Sequence, residues 1–568
     1  MVIRIRIITG VVLLLALILV FRLYQVQILD NDLWTAKAEK QYIHTKQDLY
    51  SRGSIFFTTR DGEKVSAASI RSGFLLALNP TQISDPQMVC DKLEKYLTIP
   101  KEKCVDRAGL KERTYVEIEM TLTDEVADEI SAMKITGVSL YRNQWRYYPG
   151  GDLAAKIIGF VGYSDKTDGA IAGKYGLERY YDDILFRDTE VRSVNLFAEI
   201  FSNLGDNNYK KNESPHGDII TTIEPTVARM LDTVLQETND KYSSDMTGAI
   251  IMDPKTGAIY AMNAVPGFDL NDHSTTTVEY FQNPLVESIY EFGSTIKALT
   301  MAAGLDSGVV TRDTTYYDAG SITLNTFTIK NYDGKGRGTV PMQEILNQSL
   351  NTGVAYIADK MGREKFRDYF FNYKLGSETG IDQPSEVHGN IENLKLARDV
   401  YYATASFGQG IALTPIAATR ALATLGNGGY LVTPHLASRI EYEDGTSKDI
   451  VYPKGAQVIS EKTSEEISTM LTIVVDKALG HGKYSMPHHT IGAKTGTAQI
   501  ANPNGGGYYE DKYLHSFFGY FPAYDPKFII FMYTVQPKGV KYASETLTEP
   551  FMNITKFLIN YYTIPPDR

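Results

Sequence analysis

The sequence predicts an α+β chain in three parts: a single N-terminal transmembrane helix, an elongated mixed α/β pedestal module, and a larger domain of antiparallel sheet with flanking helices. Three observations predict it. An uncharged apolar run opens the chain. A polar stretch with proline and glycine, Asn207 to Asp218, interrupts it and reads as a linker. Beyond the linker, strand-like runs come first, helical runs follow, and strand-like runs return, the order expected when one antiparallel sheet draws on both ends of a domain. A chain of 568 residues has length for two or three such domains, and we set the boundaries at 1–29, 30–216 and 217–568.

The first part rests on Ile7 to Phe21, an uncharged run behind Arg4 and Arg6. Its length fits either a short membrane span or a signal-peptide core. Two details favour an uncleaved anchor. No small-residue cleavage site follows, and apolar positions continue past Arg22 to Leu29, where a long arginine side chain can reach the interface. The basic residues before the span put the N-terminus in the cytoplasm and the bulk of the chain outside it, on the far face of the cell membrane.

In the second part, Asp32 to Lys46 reads as a helical extension. Strand-like pieces such as Phe74 to Leu78 then alternate with helical stretches such as Asp124 to Lys134. In the third part, Ile219 to Ile223 reads as a strand and Val227 to Glu237 as a helix. The apolar runs 248–252 and 258–262 flank Asp253-Pro254-Lys255-Thr256-Gly257 and read as a β-hairpin. Ser294 opens a helix whose Ile296, Leu299, Thr300 and Ala303 share one face. Helices are expected at Met342 to Met361, Pro415 to Leu425 and Ser464 to Leu479. Strands are expected around Lys494, at Phe517 to Phe521 and at Phe528 to Thr534, with a last helix at Phe551 to Tyr562.

A net charge of −11 argues against a nucleic-acid partner, because no overall positive field would attract phosphates. Cys90 and Cys104 admit either one disulfide in an oxidising compartment or two unpaired, half-buried thiols. No zinc-like spacing surrounds them, and the histidines form no metal motif, so we expect neither metal nor other cofactor.

The chemistry lies in an ordered trio: Ser294-Thr295-Ile296-Lys297, Ser349-Leu350-Asn351 and Lys494-Thr495-Gly496-Thr497. These are the S-x-x-K, S-x-N and K-T-G motifs of serine acyl-enzymes. Order alone proves little, since Ser131–Lys134, Ser193–Asn195 and Lys255–Gly257 repeat all three upstream in the same order. Setting separates them. Ser131 lies inside a helical run, where a serine is usually solvated or bonded back to its own backbone, and Lys255–Gly257 is a hairpin tip. Ser294 begins a helix, where the dipole favours developing negative charge, and Lys297 lies one turn on. Lys494–Thr497 lies in a strand, where Gly496 suggests close approach of a ligand backbone. Serine is a poor nucleophile without a base, and no histidine sits at motif spacing, so Lys297 is the candidate. That role needs an amine pKa lowered by burial and by a nearby positive charge such as Lys494.

With these residues in view, the chain resembles the class B penicillin-binding proteins, which are membrane-anchored peptidoglycan D,D-transpeptidases. Beyond the trio, Arg52-Gly53-Ser54-Ile55, Tyr148-Pro149, Ile158 to Gly162 and Gly176-Leu177-Glu178 resemble the family's N-terminal module. Ala403 to Pro415 and Asn427-Gly428-Gly429 resemble its catalytic domain. Phe292 stands where a proline is usual, and Thr58 to Gly62 only loosely follows the family pattern; neither touches a reacting group. The resemblance implies a serine β-lactamase-like catalytic fold and inhibition by β-lactams. Ser349 would relay a proton to the leaving amine, and Asn351 would position the substrate amide. Lys494, Thr495 and Thr497 would bind the terminal carboxylate of a D-Ala-D-Ala stem peptide, with Gly496 leaving room for it along the strand. The Ser294 and Thr497 amides would form the oxyanion hole. It also implies a separate membrane glycosyltransferase partner of the shape, elongation, division and sporulation type.

A β-lactamase would need a water-activating carboxylate. Glu386 and Glu392 fall in the expected region, yet neither sits in a convincing E-x-x-L-N. A D,D-carboxypeptidase normally lacks such an N-terminal module, and a silent scaffold would not need an intact trio. With no appended repeats after the last helix, we expect a septal role.

Overall fold

The computed structural model describes residues 51–163, 171–187, 216–274 and 276–568, with isolated positions between 10 and 21. The expected anchor falls almost wholly outside these residues, and the extension Asp32 to Lys46, the decoy Ser193–Asn195 and most of the linker do so too. Among the described residues no helix is long and apolar enough to cross a membrane.

The chain divides into two compact units. One contains Ile70–Tyr147; the other contains Gly53–Ser69, Tyr148–Phe186 and the chain from Asn212 to Arg568. The larger unit therefore takes in two stretches that the sequence reading assigned to the pedestal. Long-range pairing is the cause. Ile55 and Phe56 align in parallel with Ile219 and Ile220, and buried Ile55 and Phe57 join the same core as Ile219 and Ile223.

In the smaller unit, the second half of the strand Lys64–Leu78 pairs antiparallel with Val116–Leu122. Helices Pro86–Leu93 and Lys101–Ala108 add Val89, Leu93 and Ala108 to its apolar core. Asp85 caps the first of them by accepting from the Met88 N–H. Cys90 and Cys104, both fully buried, are joined as a disulfide that ties the two helices together. Of the two readings the sequence allowed, the structure takes this one.

The larger unit is built on a five-stranded antiparallel sheet. Its strands are β1 (Met246–Met252), β2 (Ile259–Val265), β3 (Gly492–Ala501), β4 (Tyr508–Phe521) and β5 (Phe528–Val535), in the spatial order β2-β1-β5-β4-β3. The first two and last three strands thus come from opposite ends of the domain, as the alternation of textures predicts. The turn after Met252 carries Lys255–Gly257, so the decoy K-T-G is a hairpin tip. Helix α1 (Pro225–Tyr242) begins with proline, while the Glu224 carboxylate accepts from the Val227 N–H at 2.6 Å.

One helix expectation gains detail and another needs correction. Helix α2 (Lys297–Asp306) has no exposed face: every residue from Lys297 to Leu305 is buried, because its small residues let other elements close in on all sides. The expected single helix Met342 to Met361 is two helices, α3 (Met342–Asn347) and α4 (Asn351–Met361). Between them Ser349 adopts φ +53°, a left-handed conformation that no helix accommodates.

Candidate active site

Ser294 lies in a 3₁₀ turn, Gly293–Ile296, that runs directly into α2. The turn is clamped from both sides. Phe292 is buried edge-on against Phe531 of β5, with ring centroids 4.8 Å apart, and its carbonyl accepts from Ser516 Oγ of β4 at 2.7 Å. Gly293 has φ +60°, and a Cβ there would lie 2.6 Å from the Thr497 carbonyl oxygen. A Cβ on Gly496 would lie 2.4 Å from the Phe292 carbonyl oxygen and 2.9 Å from the Thr295 nitrogen. The sequence reading gave Gly496 to a ligand; the close neighbour is the protein's own nucleophile turn. Nucleophile turn and β3 therefore meet backbone to backbone, which fixes Ser294 relative to the K-T-G strand.

One turn after Ser294, Lys297 is completely buried. Its Nζ donates to the Ser349 carbonyl oxygen at 2.6 Å and to Ser349 Oγ at 3.2 Å. Burial first, and then the charge of Lys494, hold this amine well below the usual lysine range. A neutral amine has two N–H donors and one lone pair, so the two bonds to Ser349 use both donors and leave the lone pair free to accept a proton. Among the described residues the Ser294 hydroxyl makes no hydrogen bond within the protein, and its side chain lines the cleft.

The left-handed Ser349 presents both of its oxygens to Lys297, which a continuous helix would not do. Asn351, the first residue of α4, donates from Nδ2 to the Lys330 carbonyl at 2.8 Å. Lys330 ends the short strand Phe327–Lys330, and the loop that follows it is held by Asp318, a buried carboxylate. It accepts from Thr352 Oγ1 at 2.7 Å, the Gly320 N–H at 2.9 Å and Asn331 Nδ2 at 3.0 Å. A buried carboxylate satisfied by several donors fixes a loop as firmly as a strand ladder does.

The third wall is β3, the last strand of its sheet. Lys494, Gly496 and Ala498 are buried, while Thr495 and Thr497 are half-exposed. Lys494 Nζ donates to its neighbour's carbonyl, Thr495 O, at 3.1 Å, and burial brings the amine down to about 8. Thr497 Oγ1 accepts from the Ala543 N–H at 3.0 Å.

Seven of the eight residues singled out by the motifs thus converge: Ser294, Ser349, Asn351, Lys494, Thr495 and Thr497 line one cleft of about 1040 Å³, and Lys297 lies directly behind Ser349. Gly496 supports the wall from behind. Among the described residues no carboxylate lines this cleft, which carries Lys330, Lys494 and Lys541. Glu386 is occupied with Thr379 and Gly380, and Glu392 pairs with Lys395 on the surface. The decoy Ser131 and Lys134 are exposed on the smaller unit, and Lys255 is ion-paired with Asp525. Sequence reasoning missed Tyr508, Tyr542 and Lys541, which also line the cleft. Gln409, which lines the cleft as well, falls within the stretch Ala403 to Pro415.

Against known proteins, residues 247–556 match the penicillin binding protein transpeptidase domain, and 51–207 match the penicillin-binding protein dimerisation domain. The chain is 30% identical over 548 residues to stage V sporulation protein D of Bacillus subtilis, covering 94% of this chain and 82% of that protein. It is 25% identical to peptidoglycan D,D-transpeptidase FtsI of Buchnera aphidicola, covering 99% and 96% respectively. Among solved structures, penicillin binding protein 3 of Mycobacterium tuberculosis aligns with a TM-score of 0.65 at 25% identity, over 75% of this chain and 92% of that one. Penicillin binding protein 2X of Streptococcus thermophilus, at 21% identity, shares the fold with a TM-score of 0.71 over 91% and 81%. On these grounds the chain belongs to the class B penicillin-binding proteins, the serine-type peptidoglycan D,D-transpeptidases.

Proposed function

We propose that Ser294 is the nucleophile, Lys297 its base and Ser349 the proton relay in cross-linking peptidoglycan stem peptides. The observation that carries this reading is the buried Lys297 amine, with both of its donors on Ser349 and its pKa held down. Lys297 takes the Ser294 proton as Ser294 Oγ attacks the carbonyl of the penultimate D-Ala. The oxyanion is held by the Ser294 and Thr497 N–H groups, each donor worth about 100- to 1,000-fold in rate. Asn351 orients the substrate amide. The proton returns through the Ser349 hydroxyl to the departing terminal D-Ala amine, leaving an acyl-enzyme. An acceptor amine then attacks the ester, the bond from the acyl carbon to Ser294 Oγ breaks, and the proton the amine gives up passes to Ser294 Oγ.

Lys494, Thr495 and Thr497 hold the terminal carboxylate. A cleft lined by lysines and by no carboxylate among the described residues suits an anionic peptide and offers no side chain to activate water as a β-lactamase does. β-Lactams, which carry a carboxylate beside a strained amide, are proposed to acylate Ser294. A mycobacterial protein sharing this fold has been solved as complexes with aztreonam and with ampicillin.

The apolar run behind Arg4 and Arg6 supports a single-pass anchor in the cell membrane, with the catalytic domain outside the cytoplasm. We further propose a separate membrane glycosyltransferase as partner and the division septum as the place of action, to be tested by imaging a fluorescent fusion in dividing cells. Fluorescent penicillin should label the full-length protein covalently. Ser294→Ala should abolish the label and Ser131→Ala should leave it intact; labelling that persists without Ser294 would move the nucleophile elsewhere.

A further inference from the structure

Along the five-stranded sheet, Thr497 of β3 stands directly opposite His515 of β4, and His515 opposite Thr534 of β5. Residues paired this way rise from the same face of the sheet as close neighbours. His515 is completely buried and engaged at both ring nitrogens. Nε2 lies 3.0 Å from the Lys541 carbonyl oxygen and Nδ1 lies 3.0 Å from Thr546 Oγ1. A carbonyl can only accept, so the bonding pattern assigns the ring proton to Nε2. Burial brings this histidine down to about 4, with Glu545 on the same segment opposing the shift. Near neutral pH the ring is therefore uncharged, and Nδ1 accepts from the Thr546 hydroxyl. The Ala543 carbonyl is a second acceptor for that same proton at 3.2 Å, so the one O–H is shared between the ring and the turn.

One buried ring thus ties both ends of the segment 541–546 to β4. From inside that segment the Ala543 N–H donates to Thr497 Oγ1. A threonine hydroxyl has a single proton. Once the Thr497 oxygen accepts from Ala543, its own O–H is left to donate elsewhere, and Thr497 lines the cleft. None of the three motifs contains this device.

We propose that His515 is a positioning residue for substrate-carboxylate recognition: by anchoring the segment 541–546 it sets the Ala543 N–H that turns the Thr497 hydroxyl proton toward the cleft. This rests on the reading of Thr497 given under Proposed function. His515 touches no substrate. It acts through Ala543, and its loss weakens one interaction rather than the acylation machinery as a whole.

The test uses full-length protein and two thioester donors that share an acyl-D-alanyl group and differ only in the leaving thiol, which ends in a carboxylate or in a carboxamide. The wild type should prefer the carboxylate donor. His515→Ala should lower kcat/KM for that donor about ten-fold, mainly through KM, the scale of one weakened hydrogen bond to a charged group. The carboxamide donor should stay within about two-fold of wild type. Thr546→Val removes the hydroxyl on the other side of the ring and should give the same selective loss even where His515→Ala folds poorly. His515→Gln, which keeps an N–H donor, should retain part of the preference. In a Thr497→Val background, His515→Ala should change the preference no further. Equal losses on both donors, or no loss on either, would overturn the proposal while the wild type keeps its preference. A wild type without any preference would instead overturn the reading of Thr497 itself.

Discussion

Replacing Gly496 by alanine should disable the enzyme from behind the nucleophile. The added Cβ would meet the Phe292 carbonyl oxygen and Ser516 Oγ, each at 2.4 Å, and the Thr295 nitrogen at 2.9 Å. Ordinary contact between such atoms begins about 1 Å further out, so the turn or the strand must yield by roughly that distance. Neither yields easily. Phe292 is wedged against Phe531, and Ser516 spends its hydroxyl on the Phe292 carbonyl. Overpacking of this kind costs about 1–3 kcal/mol, and losing the Ser516 bond adds about 1 kcal/mol. The kinetic effect should be larger than the effect on stability. Ser294 rides on the displaced turn, and a misplacement of about 1 Å in a reacting group costs on the order of 100-fold. The assay is the second-order rate of labelling by fluorescent penicillin alongside the thermal midpoint. Gly496→Ala should label about 100-fold more slowly while still unfolding cooperatively. A variant that labels at the wild-type rate would refute the backbone-to-backbone contact as the element that places the nucleophile.

Two further predictions follow from charge and cross-linking. Acylation of the carboxylate thioester should have a bell-shaped pH profile. It should rise on the acid side as Lys297 loses its proton and fall above about pH 8 as Lys494 loses the charge that holds the carboxylate; a profile still flat at pH 10 would remove Lys494 from carboxylate binding. Cys90 and Cys104 are 14 positions apart, and freeing a loop of that size in the unfolded chain costs about 3 kcal/mol. Paired Cys90→Ser and Cys104→Ser changes should therefore lower the urea midpoint of an unfolding transition, and reductant should reproduce the shift in the wild type.

Legibility in the sequence tracked the range of the interactions involved. The hairpin around Asp253–Gly257, the K-T-G strand and the helix after Ser294 follow from local period and turn chemistry, and the structure has all three. The break between α3 and α4 left no trace, because Gln348-Ser349-Leu350 holds neither glycine nor proline and Ser349 takes its left-handed φ from tertiary context. Asp318 supports Asn351 from 33 positions upstream, and His515 and Ala543 reach Thr497 through a segment with no motif. Such contacts are set by sheet register, which one sequence does not reveal. The same holds for Ile55 and Phe56, whose partners lie beyond the linker. The decoys show the converse: among the described residues Ser131 and Lys134 are exposed and Lys255 is ion-paired, so motif order by itself does not bring these residues into one buried site.

Ser349 allows backbone and hydroxyl to be tested apart. Its φ of +53° costs a non-glycine residue about 1–2 kcal/mol, a strain that persists because the left-handed bend aims both its carbonyl and its Oγ at Lys297. Ser349→Gly relieves the strain and keeps the carbonyl contact; Ser349→Ala keeps the strain; both remove the hydroxyl. If the hydroxyl carries the proton to the leaving amine, the two variants should lose acyl transfer alike, by about 100-fold or more. Their stabilities should then diverge, with the glycine variant higher by about 1 kcal/mol. If Ser349 serves only to end α3, activity should instead follow stability, and Ser349→Gly should work nearly as well as the wild type. Measuring kcat on the thioester donor beside the thermal midpoint separates the two, and an active Ser349→Gly enzyme would refute the relay. Since burial and the charge of Lys494, not the Ser349 hydroxyl, hold the Lys297 amine down, the depressed pKa should survive in either variant, and the acid limb of the pH profile should stay in place while its height falls.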